Sequence, residues 1–233
     1  MGDHGMRIPA HYRGQHGVGY HEIVVERWSA RATDINRRAF EPHVREDDVV
    51  VDFGCGSGRL LSVLPARRRI GVEINELAKR QACERGIEVV GSTGDLIDEV
   101  ADVVISNHAL EHTLSPFDVL LELRRLLKPT GRLVLMLPID EWRKQRRRWY
   151  GDPDHHLYTW TPLLLSNLLG EAGFSVEECR VFTCAPFPRR LAPLRASVGR
   201  IWVPLGAAYL YAAIRRLRQL YAVAHVASEG LAS

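Results

Sequence analysis

The sequence predicts an α/β fold built on a doubly wound, mostly parallel sheet with helices on both faces. From Val49 onward, short β-branched runs alternate with helical stretches, which implies right-handed crossovers between parallel strands. The first strand run opens on three valines and reads as nearly continuous in apolar residues, as expected of a strand buried on both faces. It ends in three closely spaced glycines, a turn that brings backbone close to a ligand at the strand's carboxyl edge.

The elements follow in order. Val49 to Phe53 reads as the first strand, and Arg59 to Leu64 as a helix. Arg69 to Glu73 is a second strand, Glu76 to Arg85 a helix, Glu88 to Ser92 a third strand and Ala101 to Ser106 a fourth. Phe117 to Leu127 carries apolar residues at helical spacing, with Glu122, Arg124 and Arg125 on the other face. Lys128-Pro129-Thr130-Gly131 stops that helix and is expected to turn the chain. Arg132 to Leu137 is then a fifth strand, halted by Pro138. Thr161 is placed to cap a helix from Pro162 to Ala172, ended by Gly173, and Val176 to Phe182 is a sixth strand. Leu191 to Leu220 reads as helical with a break at Pro204, and Tyr221 to Ala227 as a last strand. The whole chain, 1–233, is read as one domain: an N-terminal helical cap over 1–45, a core over 46–182, and a C-terminal helix and strand over 183–233.

Composition excludes several classes. At 46% hydrophobic and 25% charged residues the chain is an ordinary globular one. With 31 basic and 28 acidic residues, the net charge of +3 gives no argument for nucleic acid, so DNA is not an expected partner and RNA is a poor one. The four cysteines form no Cys-x-x-Cys pair, and reduced thiols in a cytoplasmic protein are the simpler reading. Residues 1–21 have no apolar core, so no signal peptide is expected. The longest apolar run, Ile201 to Ile214, falls short of the roughly 18 residues that a spanning helix needs. A C-terminal helix carrying Arg215, Arg216 and Arg218 leaves peripheral membrane contact and oligomerisation open, with burial against the domain as the default.

The chemistry concentrates in Asp52-Phe53-Gly54-Cys55-Gly56-Ser57-Gly58. Asp52 stands just ahead of the glycines, where a pyrophosphate would be repelled, and no Gly-Lys-Ser/Thr ending follows. A cationic ligand suits that carboxylate, although a capping role for Asp52 is the plainer alternative. Glu73 closes the second strand, in register to accept ribose hydroxyls. Further motifs are Gly71-Val72-Glu73-Ile74, Gly94-Asp95-Leu96, Asp102 to His112 and Leu126 to Arg132.

On these five motifs the chain resembles the class I S-adenosylmethionine-dependent methyltransferases, in particular their bacterial small-molecule branch. The resemblance covers about Val49 to Gly173 and departs at Thr130, where the family commonly has a second glycine. It implies a Rossmann-like, seven-stranded sheet whose last strand is antiparallel beside the sixth, with S-adenosylmethionine as cofactor. Gly54, Gly56 and Gly58, with Asp52, Phe53 and Cys55, would line the methionine end. Glu73 and Ile74 would serve the ribose, Asp95 and Leu96 the adenine, and Asn107 and His108 would lie beside the sulfonium.

Methyl transfer to oxygen or nitrogen needs alignment and often one base. His108, His112, Asp140, Glu141, Asp154, His155, His156 and Tyr158 are the candidates, with His112, His155 and His156 preferred. His112 is read both as a base and as a structural residue. Neighbouring histidines rarely share one ion, and the sequence offers no third firm ligand beside Asp154 or Asp140, so no metal is expected. The basic run Arg143 to Arg148 is read as a solvated face or as a grip on an acidic substrate. The expected activity is O-methylation of a small molecule, such as a sugar, glycolipid precursor or secondary metabolite. An RNA or protein methyltransferase and a non-catalytic nucleotide-binding protein stand as alternatives.

Overall fold

The computed structural model describes residues 33, 36–139, 155–183 and 218–227. Seven strands form one sheet: β1 (Val49–Phe53), β2 (Arg68–Val72), β3 (Glu88–Val90), β4 (Ala101–Asn107), β5 (Leu127–Pro138), β6 (Phe174–Thr183) and β7 (Arg218–Val226). Their order is β3-β2-β1-β4-β5-β7-β6. The pairs β1–β2, β1–β4, β2–β3 and β4–β5 are parallel, while β7 runs antiparallel to both β5 and β6. Strand order therefore reverses between β1 and β4, and in an open α/β sheet ligands bind in the crevice beyond the carboxyl ends at such a point.

Among the described residues the helices α1 (Glu76–Glu84), α2 (Pro116–Leu126) and α3 (Pro162–Glu171) flank the sheet. On one face Val119, Leu120, Leu123 and Leu126 of α2 and Leu165 and Leu169 of α3 pack on Val49, Val51, Val104, Leu133 and Leu135. On the other, Phe40, Leu61, Leu64 and Ala82 of α1 cover Val50, Val103, Ile105, Val134 and Met136. Both faces of β1 are buried, which is why its sequence is unbroken in apolar residues up to Asp52. Each fully buried leucine or phenylalanine here stabilises the fold by about 1.5–3 kcal/mol. Tyr221 Oη donates to the Ala39 carbonyl at 3.1 Å, tying the inserted strand β7 to the segment that precedes β1.

Several boundaries differ from the sequence expectation. The helix expected over Arg59 to Leu64 is reduced to a 3-10 turn, Leu61–Val63. Pro65 forces Leu64 into an extended conformation (φ −82°, ψ 143°), and too few residues remain after Gly58 for an α-helix to nucleate. Lys128 to Gly131 does end α2, but it is not a free turn: it belongs to β5, where pairing jumps from Ala101 with Leu127 to Val103 with Arg132. The extra residues are absorbed as a bulge, a device that strand edges use to re-aim the chain. Residues 218–220, expected to be helical, begin β7, and the rest of the helix read over 191–220 lies outside the described residues. So does most of the N-terminal cap, of which 36–40 are helical and Glu41–His43 a 3-10 turn.

Candidate functional site

Where β1 ends, Gly54, Gly56 and Gly58 take φ values of +75°, +54° and +74°, a region that side-chain-bearing residues rarely adopt. The positions are also close-packed. A Cβ on Gly54 would lie 2.4 Å from the Ala109 Cβ, so the glycine loop rests against the turn that follows β4. Cys55 is buried beneath the loop, and burial pushes its thiol well above the ordinary range, so it stays protonated and serves packing.

Glu73 follows β2 directly and aims at the loop. One carboxylate oxygen accepts from the Gly56 N–H at 2.8 Å, and the other from Ile74 and Asn75 N–H at 2.8 and 2.7 Å. Asp52 is different. It is 2% exposed, and its Oδ1 has no hydrogen-bond partner among the described residues. Burial, with added repulsion from Glu73, pushes its carboxyl up to about 8. Asn107, at the end of the adjacent strand β4, likewise holds a buried Oδ1 without a partner among the described residues. Two-residue alternation puts Asp52 on the sheet face of Val50, and Asn107 on that of Val103 and Ile105, which is the same face. Two buried side-chain oxygens without partners among the described residues, on one face of neighbouring strands at the switch point, are costly unless a donor-bearing ligand completes them.

After β3, Ser92 and Asp95 form a reciprocal capping box, in which one Asp95 oxygen accepts from the Ser92 N–H at 3.0 Å. The Leu96 N–H donates to the Thr93 carbonyl at 3.1 Å. Both groups expected at the adenine thus already have local partners.

Beyond β4 the chain turns sharply. His108 has a φ of +55°, and its N–H donates to the Met136 carbonyl at 2.9 Å. The 3-10 turn Leu110–His112 then buries Glu111 completely. His108 Nδ1 and His112 Nε2 stand 3.6 and 3.8 Å from Glu111 Oε1. The segment from His155, itself at φ +48°, folds back onto this turn. Leu157 N–H donates to the Glu111 carbonyl and Tyr158 Oη to that of Leu114, both at 2.9 Å. The His112 and His156 rings lie 5.0 Å apart. Burial, followed by the neighbouring His156, pushes His112 down to about 3, so its imidazole is neutral at ordinary pH.

The methyltransferase-domain family matches this chain over residues 24–179, which takes in the glycine loop, Glu73 and both histidine segments. The chain belongs to that family. A probable methyltransferase of Aspergillus luteorubrus, ltbC, is 25% identical over 200 residues, covering 70% of each chain. The malonyl-[acyl-carrier protein] O-methyltransferase of Marinomonas sp. is 28% identical over 141 residues, 54% of this chain and 52% of that one. Among solved structures, an S-adenosylmethionine-dependent methyltransferase from Thermotoga maritima superposes with a TM-score of 0.57 at 25% identity, covering 70% of this chain and 81% of that one. Membership of a family of methyltransferases implies an S-adenosylmethionine site, and the residues present fit one: positive-φ glycines give close backbone approach, and the buried acceptors suit its cationic, donor-bearing methionine end.

The methyltransferase thus brings together Asp52, Gly54, Gly56, Gly58, Glu73, Asn107 and His108 at one edge of the sheet, with His112, His155 and His156 beside them. Glu111 is the residue that sequence reasoning passed over. The sequence places Glu111 beside His112 in a Leu-Glu-His string after β4, but the burial of its carboxylate appears only in the fold. Asp140, Glu141, Asp154 and the basic run 143–148 lie outside the described residues. No helix among the described residues is long and apolar enough to cross a membrane.

Proposed function

We propose that this methyltransferase transfers the methyl group of S-adenosylmethionine to an oxygen atom of a small molecule. The observation that carries the cofactor assignment is the buried pair of acceptors, Asp52 Oδ1 and Asn107 Oδ1, at the strand switch point. Asp52 and the backbone of Gly54, Gly56 and Gly58 hold the methionine end, with Phe53 and Cys55 packed beneath. Glu73 accepts from the ribose hydroxyls beside Ile74, Asp95 and Leu96 flank the adenine, and Asn107 and His108 face the sulfonium. When bound, the cofactor supplies a methyl carbon already activated by positive sulfur. The protein's part is alignment and exclusion of water.

His112, His155 and His156 line the acceptor side and orient the acceptor. A His112 held to about 3 is too weak a base to take a proton at neutral pH. The Marinomonas relative is an O-methyltransferase, which supports oxygen as the acceptor atom. The test is donor consumption against separate pools of hydroxylated and carboxylated small molecules, of protein and of RNA, with products identified by mass spectrometry. An ether or ester of a small molecule is expected. Methylation confined to protein or RNA would overturn the substrate class.

A further inference from the structure

We propose that Glu111, His112 and His156 bind a divalent transition-metal ion of the zinc class at the acceptor side of the cofactor cleft. Their three donor atoms, one carboxylate oxygen and two imidazole nitrogens, lie within 4.8 Å of one another. The Glu111 carboxylate stands 3.8 Å from His112 Nε2, beyond hydrogen-bond range. Around a tetrahedral ion with bonds of about 2.0–2.1 Å, neighbouring ligand atoms sit roughly 3.4 Å apart. The cluster therefore needs only small side-chain adjustments to close on a common centre. Two nitrogens and one oxygen make the mixed set that zinc, cobalt or manganese accepts, with a fourth position left for water or substrate.

The surroundings are those of a built site. Glu111 is completely buried. His112 also hydrogen-bonds the backbone of His155, and a metal-ligating imidazole commonly uses its second nitrogen in this way to fix its tautomer and orientation. His155 itself is held at φ +48°, and the Leu157–Glu111 and Tyr158–Leu114 bonds clamp the two-histidine segment to the turn. Ala109, whose Cβ would meet a Cβ on Gly54, links the cluster to the cofactor loop.

The use of the ion rests on the methyl-transfer reading, whereas its binding does not. At the open position an acceptor hydroxyl would shed its proton to water more readily, as metal-bound water does. The carbon–sulfur bond of the donor then breaks as the carbon–oxygen bond forms, with no change in the ion's oxidation state.

The experiment uses the full chain, stripped with chelator and titrated with Co(II), then with Zn(II) in competition. One equivalent of Co(II) giving the visible absorption of a four- or five-coordinate centre, and displaced by Zn(II), is expected. His156→Ala, on the partly exposed segment, should weaken Co(II) more than the roughly 10- to 100-fold typical of losing an outer partner. A chain with His4→Ala, His11→Ala, His16→Ala and His21→Ala should bind as the parent does. Circular dichroism checks that His156→Ala folds, and Glu111→Gln provides a second ligand variant should it not. Absence of stoichiometric binding, or binding that disappears only with the four N-terminal histidines, would overturn the site. Tight, His156-dependent binding without any methyl transfer would support the site and count against the methyltransferase reading alone.

Discussion

Asp52 illustrates how one residue can carry both a cost and a purpose. Its carboxyl, 2% exposed and pushed up to about 8, is protonated in the ligand-free protein at neutral pH. A group whose folded pKa lies above its unfolded value costs stability as pH rises from about 4 towards about 8. A cationic ligand favours the ionised form, so binding at neutral pH releases a proton. Affinity for S-adenosylhomocysteine should therefore rise with pH by up to about tenfold per unit and level off once Asp52 is ionised in the free protein. Calorimetry in buffers of differing ionisation enthalpy reads that proton directly, and Asp52→Asn should abolish both the proton release and the slope. A slope unchanged in Asp52→Asn would place the titration elsewhere. Glu73 makes a second prediction at this scale. Its alanine variant loses charge-assisted bonds and should weaken S-adenosylhomocysteine by about 1–3 kcal/mol in the same assay. Unchanged affinity in a folded variant would remove Glu73 from the site.

Among the elements, the glycine loop and the capped helices can be probed by stability. Gly54 and Gly86 have nearly the same φ, +75° and +76°. A Cβ at Gly54 meets Ala109 at 2.4 Å, whereas one at Gly86 meets nothing within 4 Å. Gly86→Ala should cost only the left-handed conformation, about 1–2 kcal/mol. Gly54→Ala should cost more, and the difference, read by denaturant unfolding, isolates the contact between loop and post-β4 turn. Equal costs would mean that the loop relaxes away from Ala109. Thr161 Oγ1 accepts from the Leu164 N–H at 3.2 Å, and Thr161→Ala should destabilise α3 by about 0.5–2 kcal/mol in the same measurement. Legibility also varied by element. β1, α2 and α3 were plain from an apolar run, an apolar helical period and a Thr161 cap respectively, because local propensity and burial agree there. The stretch before Pro65 was misread because a short helical pattern says nothing of the tertiary packing that a helix needs to nucleate. The bulge in β5 escaped notice because its Pro-Thr-Gly turn chemistry is real, yet the neighbouring strand captures the segment into the sheet.

In the molecule as a whole, sheet order converts a linear list of motifs into a site. Reversal between β1 and β4 sets Asp52 on the same sheet face as Asn107, on the neighbouring strand, and the glycine loop against the turn that leads to Glu111 and His112. The candidate cofactor residues could be proposed together because their motifs follow the carboxyl ends of β1, β2, β3 and β4, where the fold brings loops close. On the proposed acceptor side His112, His155 and His156 could be named as candidates, but the burial of the Glu111 carboxylate beside them depends on a return of the chain from His155 that no local pattern encodes. The most direct check on the central claim, a cleft built for a cationic adenosyl donor, is calorimetry of the full chain with S-adenosylmethionine and with NADH at neutral pH. Stoichiometric binding of the methyl donor, weakened in Asp52→Asn and Glu73→Ala, with NADH ignored, is the predicted result. Binding of NADH with the methyl donor ignored would contradict it.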